Sequence, residues 1–91
     1  MNDGKVVYTA PERIDAKNKS KIAEELKALV KEGAEEIVVD MSKLKYISSA
    51  GLRILMDMEK QTNGAFEIMN VPANVKEILD MTGFSNILRI V

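Results

Sequence analysis

The fold is decided by the stretch Asp40–Leu55, which runs DMSKLKYISSAGLRIL. The apolar run Ile37–Val39 precedes it and is typical of a buried strand, and a helical pattern follows it. Asp40 should therefore lie at the carboxyl end of a strand, and Ser48 or Ser49 at the start of a helix. In a βα unit both points lie on the same edge of the sheet, where α/β proteins place ligand and partner sites.

Four small residues, Ser48–Gly51, begin this predicted helix. A serine at the helix N-cap accepts a hydrogen bond from a free backbone N–H. Two interpretations are open. In the first, the run is a helix cap followed by a tight contact between helix and strand. In the second, it is a smooth docking surface with a reachable hydroxyl, where Gly51 lets another molecule approach closely. The preceding loop, Met41–Ile47, is long for a βα connection, which favours a functional role.

A phosphate on that hydroxyl would face the positive end of the helix dipole, which favours an anion by roughly 0.3–1 kcal/mol. The same phosphate adds about −1.5 to −2 charge at neutral pH. In a small, dry contact surface this charge would be costly to desolvate. One modification could therefore leave the fold intact and abolish an interface.

The rest of the chain alternates strand and helix patterns. Predicted strands cover 5–10, 37–40, 65–69 and 87–91, and predicted helices fill the three gaps. This βαβαβαβ order indicates the α/β class: one domain over residues 1–91 with a four-stranded, mostly parallel sheet and three helices. Asp15 and Asn18 are both candidate caps of the first helix. In the loop before the second helix, we expect three side chains to point inward: Leu44, Tyr46 and Ile47.

The second predicted helix, from about Ser49 to Thr62, carries apolar residues on more than one face. Ile54 and Met58 lie off the main apolar stripe. We expect them to be buried between the sheet and a neighbouring helix. The alternative is a partly exposed partner surface, for which methionine is well suited.

Composition restricts the functions to consider. The 91 residues contain no Cys and no His and carry a net charge of −1. Without His, Ser49 cannot serve in a Ser-His-Asp triad, and the usual zinc ligands are missing. We expect no catalysis, no metal and no cofactor. The charge balance predicts no nucleic-acid partner. The chain has no apolar run long enough for a membrane span and no signal peptide, which favours a cytoplasmic location.

Asp40 has one catalytic alternative. At the end of a strand in an α/β chain, it could accept a phosphoryl group as response-regulator receivers do, but this chemistry needs Mg²⁺ held by further carboxylates. The first strand ends in Thr9-Ala10, without an acidic pair. We therefore interpret Asp40 as a turn or loop-capping residue.

The central stretch resembles the signature of STAS domains, specifically of the bacterial anti-sigma factor antagonists. The family pattern is Asp-Leu-Ser, a few residues, then Ile-Asp-Ser-Ser-Gly-Leu, and it stands here as Asp40–Ser42 and Ile47–Leu52. The phosphorylated serine of the family maps onto Ser49. Ser48 stands where the family has Asp and is the alternative hydroxyl. Weaker likeness extends over nearly the whole chain, including RIDA at 13–16 and VKEILDMTGF at 75–84.

The resemblance implies a non-enzymatic switch. The unmodified protein would bind an anti-sigma factor and free a sigma factor; this partner would also be an ATP-dependent serine kinase, and a separate phosphatase would reset the switch. The implied contact residues lie around the start of the second helix: Asp40, Ser42, Ser48, Ser49, Ala50, Gly51, Leu52 and Arg53. The alternative is a constitutive STAS adaptor subunit of a larger assembly, such as a transporter, in which Ser49 is never phosphorylated.

Two terminal elements of the family are not matched. Relatives carry an extra strand before the first strand predicted here and a helix after the last. Apolar surface near Val91 is therefore expected to be exposed, which predicts a homodimer or docking on a partner. A monomer in sedimentation at high concentration would contradict self-association.

Overall fold

The computed structural model describes residues 4–91. Within this range, six strands, three α-helices and one short 3-10 helix, Phe84–Asn86, follow one another along the chain. The strands are β1 Lys5–Thr9, β2 Arg13–Ile14, β3 Glu36–Asp40, β4 Tyr46–Ile47, β5 Phe66–Met69 and β6 Arg89–Ile90. The helices are α1 Lys19–Lys31, α2 Ser49–Gln61 and α3 Ala73–Thr82. Among these helices, none combines the length and apolarity needed to cross a membrane.

The main sheet of the described chain has four strands in the order β1-β3-β5-β6, and every pair is parallel. The prediction of an α/β fold with a four-stranded parallel sheet and three helices is confirmed. Ile37, Val38 and Val39 of β3 are all buried, as expected for a strand with a neighbour on each side. The last strand is shorter than predicted, because only Arg89–Ile90 pairs with β5.

The core is mainly aliphatic. Alternate residues of the central strands, Ile37 and Val39 on β3 with Phe66 and Ile68 on β5, join one cluster with the inner faces of the helices. Ile54 and Met58 of α2 belong to this cluster and are 8% and 1% exposed. The prediction that they are buried is confirmed, and the alternative of a partner surface built on them is wrong.

A second, small sheet was not predicted. In the described chain, β2 and β4 pair in parallel, with Arg13 opposite Tyr46 and Ile14 opposite Ile47. The expected loop therefore ends in a strand. Leu44 and Ile47 point inward as predicted, but the prediction for Tyr46 is wrong, since it is 46% exposed. Side chains alternate along a strand, so a buried Ile47 turns its neighbour outward.

Both candidate caps contribute to the start of α1. Asn18 occupies the N-cap position, but its side chain accepts from the Asp15 N–H at 2.9 Å and donates to the Arg13 carbonyl at 2.7 Å. The Asp15 carboxylate accepts from the N–H groups of Lys17 and Asn18 at 3.0 and 3.3 Å. The two side chains therefore hold the turn before the helix rather than the helix N–H groups.

Candidate functional site

Ser49 is the first residue of α2, and its side chain is exposed. Its hydroxyl makes no hydrogen bond to any residue in the range 4–91. Nothing in the described fold therefore depends on this hydroxyl, and a modifying enzyme or a partner can reach it.

Ser48 has a different environment, although it is the adjacent residue. It is half-buried at the N-cap of α2, and its Oγ accepts a hydrogen bond from the Gly51 N–H at 3.2 Å. Its own N–H donates to the Ile14 carbonyl at 2.9 Å, which ties the helix start to β2. The Ser48 hydroxyl thus satisfies a helix N–H that would otherwise lack a partner.

Gly51 explains how closely α2 approaches the small sheet. A Cβ placed on Gly51 would lie 2.7 Å from Ile47 Cγ1, 2.8 Å from Ile14 Cγ2 and 3.1 Å from the Ile14 carbonyl oxygen. The close approach that glycine permits is therefore made by this chain's own strands, as in the interpretation of a helix cap followed by a tight contact between helix and strand. Gly51 and Leu52 are both buried, and they set the position of the exposed residues beside them.

Asp40 caps the loop that follows β3, as expected. Its Oδ1 accepts from the Ser42 N–H at 3.0 Å and from the Asn70 side-chain amide at 3.1 Å. The hydrogen bond from Asn70 and those from Ser42 hold the pKa of Asp40 below its usual value. Ser42 itself is exposed. The carboxylate therefore stabilises the loop shape at this edge of the sheet.

The loop after β5 also supports the site, and the sequence did not reveal this. Asn70, in this loop, has a positive φ of 55° and reaches Asp40, while the side chain of Asn74, in the first turn of α3, donates to the Lys45 carbonyl at 3.2 Å. An asparagine directly after a strand is a signal for such a role, because asparagine tolerates this backbone conformation. The residue that Asn70 contacts, Asp40, is 30 positions away. This contact depends on the order of the strands in the sheet and is not visible in the local sequence.

Two shallow depressions flank Ser49, and both are also lined by Arg53 and Asp57. The first, of about 480 Å³, extends to Lys19 at the start of α1. The second, of about 390 Å³, extends to Lys60 and to the ring of Phe84. Arg53 is exposed and makes no ion pair within residues 4–91, so its guanidinium is available beside Ser49. Ala50 is half-buried and lines the first depression.

The comparison with protein families finds a match to the STAS domain over residues 1–91. A relative from Bordetella bronchiseptica, BtrV, is described as a candidate anti-sigma factor antagonist. The two chains are 31% identical over 88 residues, which cover 93% of this chain and 76% of BtrV. This relationship agrees with the resemblance carried by the central motif.

Solved structures show the same fold. TM1081 of Thermotoga maritima, described as a candidate anti-sigma factor antagonist, superposes with a TM-score of 0.86 at 18% identity, covering 97% of this chain and 79% of its own. Unphosphorylated SpoIIAA, an anti-sigma factor antagonist, gives 0.80 at 14% identity, covering 100% and 84%. The phosphorylated form of SpoIIAA, a Bacillus cell fate determinant, gives 0.72 at 13% identity, covering 98% and 84%. By its family match and its relationship to BtrV, the chain belongs to the STAS domain family.

Proposed function

We propose that this chain is an anti-sigma factor antagonist: a binding module that sequesters an anti-sigma factor and so frees a sigma factor. The observation that carries the proposal is the exposed Ser49 hydroxyl at the start of α2, which has no hydrogen-bond partner within residues 4–91. The description of BtrV as a candidate anti-sigma factor antagonist supports it. This role would take place in the bacterial cytoplasm.

In the proposed cycle the anti-sigma factor is also a serine kinase, and it phosphorylates Ser49 with its own ATP and Mg²⁺. A separate phosphatase restores the hydroxyl. SpoIIAA has been solved with this fold in phosphorylated and unphosphorylated forms, which supports a modification that leaves the fold intact. Ser49 is favoured over Ser48 because the Ser48 hydroxyl already caps α2.

Electrostatics near Ser49 supports tolerance of a phosphate in the free protein. The first N–H groups of α2 point toward this end, and anions are stabilised at a helix N-terminus. Two cationic residues, Lys19 and Arg53, line the adjacent depression against one carboxylate, that of Asp57. In a complex, the same phosphate would have to lose its hydration water or contact partner groups that suit a neutral hydroxyl. Each 1.4 kcal/mol of that free-energy cost weakens binding about tenfold.

The proposed contact surface, here called the Ser49 surface, consists of the accessible members of the predicted set. Ser42, Ser49 and Arg53 are exposed, and three further residues are half-buried: Asp40, Ser48 and Ala50. Gly51 contributes by allowing α2 to pack against the small sheet, and Leu52 is buried in the core. Separately, self-association through exposed apolar side chains near the C-terminal end, including Ile87 and Val91, remains our proposal, to be tested by sedimentation.

The proposal is tested by measuring affinity for anti-sigma factors from the source organism. Ser49→Ala should bind one of them as tightly as the unaltered chain, and Ser49→Asp should bind at least 100-fold more weakly. Ser20 provides a matched control because it is also an exposed serine in the first turn of a helix. Ser20→Asp should bind within twofold of the unaltered chain. Equal binding by Ser49→Asp would instead favour the constitutive adaptor.

A further inference from the structure

The outer side of the small sheet carries an exposed pair of side chains, Arg13 and Tyr46. They lie opposite each other on β2 and β4, with the Arg13 guanidinium carbon 5.0 Å from the centre of the Tyr46 ring. The Arg13 side chain is 64% exposed and Tyr46 is 46% exposed. All four aromatic residues lie in the described range, and of these only Tyr46 is exposed. Tyrosine and arginine are, with tryptophan, the side chains enriched at interface hot spots.

The backbone under this pair is held rigidly. The partners of the pair on the inner side, Ile14 and Ile47, are 2% and 4% exposed. The Arg13 carbonyl accepts from the Asn18 amide at 2.7 Å, and Arg13 Nε donates to Asp15 at 3.3 Å. A pre-organised contact loses little conformational entropy on binding, so more of its interaction energy appears as affinity.

The pair is continuous with the Ser49 surface. Ser49 lies three positions after Tyr46, so their Cα atoms are at most roughly 11 Å apart. A standard interface buries about 800 Å² per partner, a patch of roughly 16 Å radius. The Ser48 N–H donates to the Ile14 carbonyl, which fixes the pair relative to the start of α2. A partner that covers Ser49 would therefore also reach the pair.

The chemistry of the pair defines what it would bind. Only Nε of Arg13 has an acceptor among residues 4–91, so its two terminal nitrogens can bind a carboxylate in a bidentate manner. Along the sequence, the exposed charged residues next to the pair are Lys43 and Lys45 before Tyr46 and Glu12 before Arg13, while Asp15 is already bonded to Arg13. The partner surface that complements the pair is therefore acidic, and it places an apolar side chain against the part of the Tyr46 ring that Arg13 does not cover.

We propose that Arg13 and Tyr46 form a second contact for the anti-sigma factor, which docks an acidic segment with its carboxylate on Arg13 and an apolar side chain against Tyr46. This inference rests on the proposed function and extends its contact surface. The contact determines which anti-sigma factor is bound, while Ser49 determines when it is released.

The test uses the anti-sigma factor that the unaltered chain binds, and measures affinity for a series of variants. Arg13→Ala and Tyr46→Ala should each raise Kd at least tenfold, and Arg13→Lys should bind with intermediate affinity because lysine lacks the bidentate fork. Arg13→Gln, which keeps the length of the side chain, should match Arg13→Ala. Arg89→Ala is the matched control, because Arg89 is a similarly exposed arginine on the edge strand β6, paired with Glu67. It should stay within twofold.

Circular dichroism and urea unfolding confirm that each variant is folded. Raising the salt concentration should weaken binding of the unaltered chain more than that of Arg13→Ala, since the ion pair is screened. If Arg13→Ala and Tyr46→Ala bind within twofold while Ser49→Asp releases the partner, this inference is overturned and the proposed function stands. If the unaltered chain binds no anti-sigma factor, both are overturned.

Discussion

The starts of α1 and α2 have much in common but are built differently. Each follows a two-residue strand of the small sheet, and each carries an exposed serine in its first turn, Ser20 in α1 and Ser49 in α2. Before α1, four residues form a polar turn in which Asp15 and Asn18 bond each other and the backbone. Before α2 there is a single cap residue, Ser48.

Because of this difference, the position of Ser49 is fixed more tightly than that of Ser20. Hydrogen bonds determine the entry to α1, while Gly51 brings α2 against Ile14 and Ile47 in direct van der Waals contact. Close-packed contacts leave little freedom of position. Ser49 is therefore held at a fixed place beside other small residues, while Ser20 is flanked in the sequence by two exposed lysines, Lys19 and Lys21.

The largest effect on stability is expected from filling the space at Gly51. Gly51→Val should lower the free energy of unfolding by about 3 kcal/mol, because two isoleucine side chains and a backbone carbonyl occupy the space beside it. Urea unfolding measures the change. Ser20→Val, at the start of α1, is the control and should change stability by less than about 0.5 kcal/mol. A similar small change for Gly51→Val would contradict the close-packed start of α2.

A smaller effect is expected from the two adjacent serines. Ser48→Ala should lower the free energy of unfolding by about 1 kcal/mol, because it removes the acceptor of the Gly51 N–H. Ser49→Ala should change it by less than about 0.5 kcal/mol, since its hydroxyl has no partner within residues 4–91. Thermal unfolding of the two variants provides the comparison. Equal losses would show that Ser49 also has a structural role.

The smallest expected effect is a pH dependence of stability that arises at the start of α1 and not at the start of α2. Burial tends to raise the pKa of Asp15, but hydrogen bonds from the Lys17 N–H, the Arg13 side chain and the Asn18 N–H outweigh it, and the pKa falls below the usual 3.8. A lowered folded pKa stabilises the fold above the unfolded value, and this contribution is lost as pH falls through the folded value.

The stability difference between the unaltered chain and Asp15→Asn should therefore be constant above about pH 5 and shrink as pH falls below about 4. Urea unfolding at a series of pH values measures it. Ser48→Ala serves as the control, because serine does not titrate and its cost should not change with pH. A difference for Asp15→Asn that persists at the lowest pH would mean that the contribution of Asp15 does not depend on ionisation of its carboxyl group.

Local patterns in the sequence were sufficient to predict the main architecture. The continuous apolar run of β3 indicated a central strand, and the alternation of strands with helical patterns indicated parallel pairing. The small residues before Leu52 indicated both a cap and an accessible hydroxyl. All of these signals act over a few residues, which is the range where periodicity and capping preferences operate.

Contacts between distant segments were not predictable in the same way. A two-residue strand such as β4 is too short to show a period, so the outward direction of Tyr46 follows only from its pairing with Arg13. The bond from Asn70 to Asp40 depends on β5 lying beside β3. A glycine such as Gly51 indicates that another group packs closely against the backbone, but the sequence alone does not identify that group.

The most direct test of the central claim is to incubate the chain with ATP and its anti-sigma factor, then map the modified residue and follow the complex. We expect one phosphate on Ser49, dissociation of the complex as the phosphate is added, and a Ser49→Ala variant that stays unmodified and bound. A phosphate on another residue, or a Ser49-phosphorylated chain that remains bound, would contradict it.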